Sequence, residues 1–146
     1  MKALVVYDTL YGNTEKIARA IGGAIAGDVR VVRASEPDSA DTKGVELFIV
    51  GSPTQGGRPT RAVQEFLDKI PDPDIRGARF AAFDTRSPSR LVRLFGYAAE
   101  RISASLAEKG GVLVLPPEGF FVEGSKGPLR EGELERAAGW AKRIAG

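Results

Sequence analysis

The stretch ALVVYDTLYGNTE, residues 3–15, decides the fold. It opens with a continuous apolar run, which is typical of a buried strand in a parallel sheet. Its second half is polar and contains a glycine. Apolar residues then recur at helical spacing, at Ile17, Ala18, Ile21 and Ile25. The sequence therefore predicts a strand, a short polar loop and the start of a helix.

The same alternation of strand and helix continues along the chain. Further apolar runs predict strands at residues 29–33, 47–50, 80–83 and 112–115, with a short extension at 120–122. Apolar residues at helical spacing predict helices over residues 63–70, 91–106 and 134–144. We expect one α/β domain over residues 1–146, with a doubly wound, three-layer, five-stranded parallel sheet of order 2-1-3-4-5.

Two absences from the composition limit the chemistry. The chain has no histidine and no cysteine, which excludes disulfides, thiolate metal sites and Ser-His-Asp triads. We expect no catalytic side chain and no metal, so that a cofactor carries any difficult chemistry. The net charge of +2 is too small to favour nucleic-acid binding. Without a signal-like or membrane-spanning segment, the expected location is the cytoplasm.

The loop after the first strand, residues 9–14, is predicted to lie where doubly wound sheets bind ligands. Unpaired N–H groups at a helix start favour an anion, and Gly12 permits close backbone approach. Since the loop has no lysine or arginine, dipoles and hydrogen bonds would hold a phosphate there. From these residues alone, a plain helix cap by Asn13 or Thr14 is an equal alternative.

The string TLYGNTE, residues 9–15, resembles the phosphate-binding signature of flavodoxins, T-x-[TY]-G-N-T-E, at every position. The resemblance implies a flavodoxin-like fold and FMN as the cofactor. It also implies phosphate contacts from Thr9, Tyr11, Gly12, Asn13 and Thr14, with Tyr11 contributing through its backbone.

The loop after the third strand, GSPTQGGRPT at residues 51–60, is similar to the flavodoxin loop that lies against the isoalloxazine ring. In that family a glycine peptide of this loop responds to the redox state of the flavin. The similarity implies cofactor contacts from Pro53, Thr54, Gln55, Gly56 and Gly57. An ordinary turn into the next helix is the alternative.

The segment after the fourth strand, DTRSPSR at residues 84–90, departs from the family pattern. Flavodoxins often place a stacking tyrosine there, and this segment has no aromatic residue. Phe95 and Tyr97 are predicted to pack inside the next helix. Arg86 is predicted either to contact the flavin or to be solvated. The expected cofactor contacts are Asp84, Thr85 and Arg86.

Four arginines fall on or beside the two ring-side loops: Arg58, Arg61, Arg86 and Arg90. Such a rim would favour an acidic redox partner or an anionic substrate. Scattered, solvated arginines at helix starts are an equal alternative. The sequence leaves the oligomeric state open.

The segment from Pro116 to Leu129 is longer than a minimal connection. It is predicted to be an ordered loop packed on the sheet. Phe120, Phe121 and Trp140 are expected to pack rather than to reach the flavin.

Three functions remain open at this point. The favoured one is an FMN-binding protein that transfers electrons to or from a partner without a catalytic side chain. The second is a small FMN-dependent reductase acting with a quinone, a protoporphyrinogen-type substrate or NAD(P)H, which the basic rim would suit. The third is a flavodoxin-fold binding or regulatory domain without flavin, which the missing aromatic would suit.

Overall fold

The structure is a computed structural model that describes residues 1–88 and 96–146. Within these ranges the strands are β1 (Lys2–Tyr7), β2 (Asp28–Arg33), β3 (Leu47–Pro53), β4 (Arg79–Arg86), β5 (Val112–Leu113) and β6 (Glu118–Phe121). The helices are α1 (Asn13–Gly23), α2 (Arg61–Lys69), α3 (Asp72–Ile75), α4 (Ala98–Glu108) and α5 (Glu133–Ala145), with a 3-10 turn at Pro37–Ala40. None of these helices combines the length and apolarity needed to cross a membrane.

The strands form one parallel sheet of order β2-β1-β3-β4-β5, and β6 also pairs with β4. The predicted α/β class and the order 2-1-3-4-5 are confirmed. The predicted strand at 112–115 is wrong in its extent, because it ends at Leu113. Pro116 and Pro117 have no N–H to continue the ladder, and the chain returns to the sheet as β6. The described sheet thus has six strands rather than five.

Two central strands extend further than the sequence predicts. β3 continues through Pro53 and β4 through Arg86, although both ends were predicted as loops. The reason is pairing: Ser52 lies opposite Asp84 and Pro53 opposite Thr85, while β6 pairs with the last four residues of β4. Three predicted cofactor residues, Asp84, Thr85 and Arg86, are therefore held on a strand.

The predicted helix over residues 91–106 is interrupted at Gly96 and Tyr97. Its later part is α4, which begins at Ala98. Gly96 has a φ of 82° and Tyr97 is extended, so neither continues a right-handed helix. The predicted helical positions Leu91, Leu94 and Phe95 lie outside the described residues.

Apolar side chains fill both faces of the sheet. One face packs against α2 and α4 around Phe48, Phe80 and Ile102. The other packs against α1 and α5, where Phe83, Phe120 and Trp140 meet edge to face with centroids 5.9 to 6.2 Å apart. The predicted packing roles of Phe120 and Trp140 are confirmed. This two-sided core fixes the strand ends that form the site.

A cluster of charged side chains, in which Glu133 is buried, links α5 to β6. The Glu133 carboxylate accepts the N–H of Phe121 at 2.7 Å and two hydrogen bonds from Arg136, each 2.8 Å. Arg136 also donates to Glu118 Oε1 at 2.7 Å. The hydrogen bonds from Arg136, aided by the Phe121 N–H, hold the pKa of the Glu133 carboxyl below its ordinary value despite burial.

This lowered pKa predicts a pH-dependent contribution to stability. Because the folded pKa lies below the unfolded one, the contribution is fully present above about pH 4.3 and is lost as pH falls through the folded pKa. Glu133→Gln is expected to destabilise the protein at neutral pH and to flatten the fall in unfolding free energy in acid. Urea unfolding at several pH values measures this, with the exposed Glu135→Gln as control. An unchanged acid slope in Glu133→Gln would contradict the assignment.

Candidate functional site

A cavity of about 230 Å³ opens where the carboxyl ends of β1, β3 and β4 meet. Eight of the thirteen predicted cofactor residues line it: Thr9, Tyr11, Asn13, Thr14, Pro53, Thr54, Thr85 and Arg86. The sequence did not single out its other lining residues, which are Leu10, Ser87, Val122 and Ser125. A larger cavity of about 460 Å³, between the 3-10 turn and α2, contains none of the thirteen. The smaller cavity is the candidate site because it adjoins a helix N-terminus at the strand ends.

The N-terminus of α1 has no side-chain cap. Gly12 occupies the cap position with a φ of 91°, which is in the left-handed region. Among the described residues, the backbone N–H groups of Asn13, Thr14 and Glu15 have no acceptor. The alternative of a cap by Asn13 or Thr14 is thus wrong, and Asn13 Nδ2 instead donates to the Lys126 carbonyl at 3.1 Å. Uncapped N–H groups at this end form a site for an anion.

Buried threonine hydroxyls lie beside these N–H groups. Thr14 Oγ1 and Thr85 Oγ1 are 2.8 Å apart, and the two residues are 1% and 5% exposed. One hydroxyl proton makes this hydrogen bond, so the other can be donated to a third group. Thr9 Oγ1 accepts the Gly12 N–H at 2.9 Å and fixes the loop. The site therefore offers both backbone and hydroxyl donors.

The acidic side chains next to the loop are each paired with an arginine. Arg33 Nε donates to Asp8 Oδ1 at 3.1 Å, and its Nη2 donates to the Thr9 carbonyl at 2.8 Å. Arg19 donates to Glu15 at 2.8 Å and thereby lowers the pKa of Glu15 below its ordinary value. Neither carboxylate therefore opposes an anion with an uncompensated charge.

A hairpin after β6 closes one side of the cavity. Val122 and Leu129 form an antiparallel bridge, and the Glu123 N–H donates to the Pro128 carbonyl at 2.8 Å. We call residues 122–129 the closing hairpin. Its tip places Ser125 in the cavity wall. The signal that could have found it is topological, since the chain after the last strand must emerge at the same edge as the other strand ends.

The tip of the closing hairpin lies in close contact with the loop 9–14. Gly127 has a φ of 105°, and a Cβ there would lie 2.7 Å from Asn13 Nδ2. A glycine is therefore needed for the tip to lie against Asn13. The cation at this tip is Lys126, whose Nζ lies 5.9 Å from the centroid of the Tyr11 ring.

The loop after β3 is a tight turn beside the cavity. Gln55 and Arg58 exchange backbone hydrogen bonds of 2.8 and 2.9 Å, and Gly56 and Gly57 have φ values of 54° and 80°. Two successive positive φ values are the mark of a type I′ turn. Gln55, Gly56 and Gly57 flank the cavity without lining it. Thr54 does line it, and its N–H donates to the Thr85 carbonyl at 3.0 Å.

Asp84 and Arg86 form a buried ion pair at the end of β4. Arg86 donates to Asp84 through Nε at 2.7 Å and through Nη2 at 2.8 Å. Asp84 is fully buried and also accepts the Ala99 N–H at 2.9 Å. The alternative of a solvated Arg86 is thus wrong, since its side chain is 13% exposed. Asp84 holds Arg86 in place but does not itself line the cavity.

Tyr97, like Phe95, was predicted to pack inside a helix. It lies just before α4, half-buried, with the Arg86 guanidinium carbon 3.4 Å from its ring centroid. The Arg86 guanidinium also lies against the backbone of Gly119, where a Cβ would overlap it. Arg86, which lines the cavity, thus has an aromatic residue against its guanidinium. The signal in the sequence was Gly96, which breaks the helical pattern immediately before Tyr97.

Of the four arginines in the predicted basic rim, the structure describes Arg58, Arg61 and Arg86. Arg61 pairs with Glu65 at 3.1 Å and its side chain is 92% exposed. Arg58 is exposed, and no carboxylate of the described residues lies within 4.0 Å of it. Arg86 is largely buried, with a side chain 13% exposed, and Arg90 lies outside the described residues. Two of the three described arginines, Arg58 and Arg61, are therefore at the surface.

Comparison with known proteins identifies the family. The family profile described as Flavodoxin matches residues 5–140. No curated protein sequence matches the chain. Among solved structures, a flavodoxin from the domain Archaea is 26% identical, with a TM-score of 0.82 over 99% of this chain and 96% of that one.

Two further structures share the fold. Oxidised flavodoxin 2 from Bacillus cereus is 23% identical, with a TM-score of 0.82 over 99% of this chain and 98% of that one. A flavodoxin, WrbA-like protein from Agrobacterium tumefaciens is 19% identical, with a TM-score of 0.75 over 99% and 94%. With the profile covering nearly the whole chain and the fold shared throughout, this protein belongs to the flavodoxin family.

Proposed function

We propose that this protein binds FMN at the candidate site and transfers electrons to or from a redox partner. FMN is the cofactor of flavodoxins. The observation that carries the proposal is the uncapped N-terminus of α1, whose N–H groups at Asn13, Thr14 and Glu15 lack an acceptor beside buried hydroxyls. A phosphate is the part of FMN that such donors suit.

The phosphate end is assigned to the loop 9–14. Backbone N–H groups of the loop and of the first turn of α1 would donate to the phosphate oxygens, with Gly12 allowing close approach. The hydroxyls of Thr14 and Thr85 would supply the remaining proton of their pair. The proposed phosphate contacts are Thr9, Tyr11, Gly12, Asn13 and Thr14.

The ring end is assigned to the ends of β3 and β4. Pro53, Thr54, Thr85 and Arg86 line the cavity there, and the turn through Gln55, Gly56 and Gly57 flanks it. Asp84 contributes by fixing Arg86. When bound, FMN supplies the electron-transfer chemistry, and these residues orient it and exclude water. No side chain is required as an acid, base or nucleophile.

Reduction kinetics separate this function from that of a reductase. Purified protein reconstituted with FMN is expected to show a bound-flavin visible spectrum that dithionite bleaches and NAD(P)H does not. Rapid bleaching by NAD(P)H in a stopped-flow instrument would favour a small reductase instead. A colourless protein that leaves the fluorescence of added FMN unchanged would overturn the proposal.

The charges around the cavity predict the potential of the second reduction step. Asp84, Asp8 and Glu15 are each paired with an arginine, so these carboxylates do not repel a reduced FMN anion. Ser87→Asp, on the cavity wall, introduces an unpaired carboxylate and is expected to lower the second potential by about 40 mV, equivalent to roughly 1 kcal/mol. Spectroelectrochemistry measures this shift. If the unmodified protein already had a second potential as low as that of acidic flavodoxins, its own carboxylates would repel the reduced FMN anion, and this expectation would be wrong.

We propose that the partner is acidic at its docking surface. Arg58 and Arg61 are exposed cations next to the ring-side turn; Arg58 has no carboxylate of the described residues within 4.0 Å, whereas Arg61 is paired with Glu65. Leu10 and Tyr11, at 51% and 56% exposed, add apolar surface at the cavity rim. Electrostatic steering by these cations predicts that electron transfer to an acidic partner slows as ionic strength rises.

A further inference from the structure

We propose that Lys126 supplies the cation of the phosphate site, from the closing hairpin rather than from the loop that binds the phosphate. This inference rests on the proposed binding of FMN. The loop 9–14 itself contains no lysine or arginine. A basic side chain from another segment would therefore add a positive charge to a site that otherwise binds the phosphate dianion through neutral donors.

The hairpin is built to hold its tip against the loop. Its stem is fixed by the Val122–Leu129 bridge and by the hydrogen bond from the Glu123 N–H to the Pro128 carbonyl. Its tip is fixed to the loop by Asn13 Nδ2, which donates to the Lys126 carbonyl at 3.1 Å. This contact joins the backbone of Lys126 directly to the first residue of α1.

The Lys126 side chain lies over a residue that lines the cavity. Ser125 lines the cavity, as do Tyr11 and Asn13. The Lys126 ammonium lies over the Tyr11 ring, 5.9 Å from its centroid, within the range of a cation–π contact. This contact holds the charge beside the phosphate loop.

The charge of Lys126 is uncompensated by the described residues. No carboxylate among them lies within 4.0 Å of its ammonium, and Glu123 of the same hairpin is paired with Arg130. By contrast, the two arginines that contact the loop and the first turn of α1, Arg33 and Arg19, are each neutralised by a carboxylate. Lys126 is thus available to attract a phosphate.

A comparison of FMN with riboflavin tests this, because riboflavin has the same ring and lacks the phosphate. In Lys126→Gln the dissociation constant for FMN is expected to rise about threefold to tenfold at low salt, while that for riboflavin stays unchanged. Lys126→Arg is expected to retain the wild-type affinity. Lys43→Gln is the matched control, because it removes the same charge from the segment before β3. That segment lies at the amino ends of the strands, whereas the cavity lies at their carboxyl ends.

The salt dependence gives a second readout. FMN binding to the wild type is expected to weaken with ionic strength more steeply than binding to Lys126→Gln. Equal FMN affinity in the two proteins, or an equal loss for FMN and riboflavin, would overturn the role of Lys126 and leave FMN binding intact. A wild type that binds neither ligand would overturn the proposed function, and the role of Lys126 with it.

Discussion

Replacing Arg86 with alanine is expected to lower the free energy of unfolding by about 3 kcal/mol or more. The reason is the carboxylate that the substitution leaves behind. Asp84 is 0% exposed and receives two hydrogen bonds from Arg86. Without the guanidinium it keeps the Ala99 N–H and no cation, and an unpaired buried charge is among the costliest defects in a protein. Urea unfolding at neutral pH measures the loss.

Two further variants separate this cause from a general effect of losing an arginine. Arg61→Ala removes an exposed partner of Glu65 and is expected to change stability by less than about 0.5 kcal/mol. The double variant Asp84→Ala with Arg86→Ala removes both charges and is expected to be more stable than Arg86→Ala alone. Equal losses in Arg86→Ala and Arg61→Ala would contradict the buried pair.

Thr14→Val is expected to weaken FMN binding about tenfold to a hundredfold. The substitution keeps the shape of the side chain and removes the hydroxyl that lies 2.8 Å from Thr85 Oγ1. It takes a donor from a charged ligand, and hydrogen bonds to charged groups contribute about 1.5 to 3 kcal/mol. Riboflavin affinity is expected to stay close to that of the wild type. Fluorescence quenching of both flavins measures the difference.

Thr42→Val is the control for a buried threonine hydroxyl. Thr42 is 1% exposed and donates to Asp74 Oδ2 at 2.8 Å, outside the candidate site. It is expected to destabilise the protein by about 1 kcal/mol and to leave FMN affinity unchanged. A Thr14→Val protein that retains full affinity would exclude the Thr14 hydroxyl as a phosphate contact.

The sequence predicted the fold, and the position of the loop 9–14 between β1 and α1, because both depend on local patterns. The apolar run at residues 3–7 and the helical spacing of Ile17 and Ile21 each concern neighbours in the chain. The loop between them is also local, so Thr9 and Thr14 were found from their position at a strand end and a helix start. The order of the strands followed from their alternation with helices.

The surroundings of Arg86 depend on contacts between distant residues, which the sequence does not display. Arg86 is buried because Asp84, Tyr97 and Gly119 surround it, and those residues come from β4, the start of α4 and β6. Because Leu91 and Leu94 are at helical spacing, Tyr97 was predicted to lie inside a helix, although Gly96 interrupts that pattern.

The closing hairpin was missed for a different reason. Its cavity residues, Val122 and Ser125, belong to no motif and follow β5 and β6, which Pro116 and Pro117 separate. Only the sheet pairing of β6 with the end of β4 brings this segment to the cavity. The prediction of an ordered loop was right, while its position against Asn13 required the structure.

FMN binding through a phosphate site at the loop 9–14 is tested most directly by titrating the flavin-free protein with FMN and with riboflavin. Quenching of flavin fluorescence measures the binding. The uncapped start of α1 and the hydroxyls of Thr14 and Thr85 predict that FMN binds at least about a hundredfold more tightly than riboflavin, because only FMN carries the phosphate. Equal affinity for the two flavins, or no quenching of either, would contradict it.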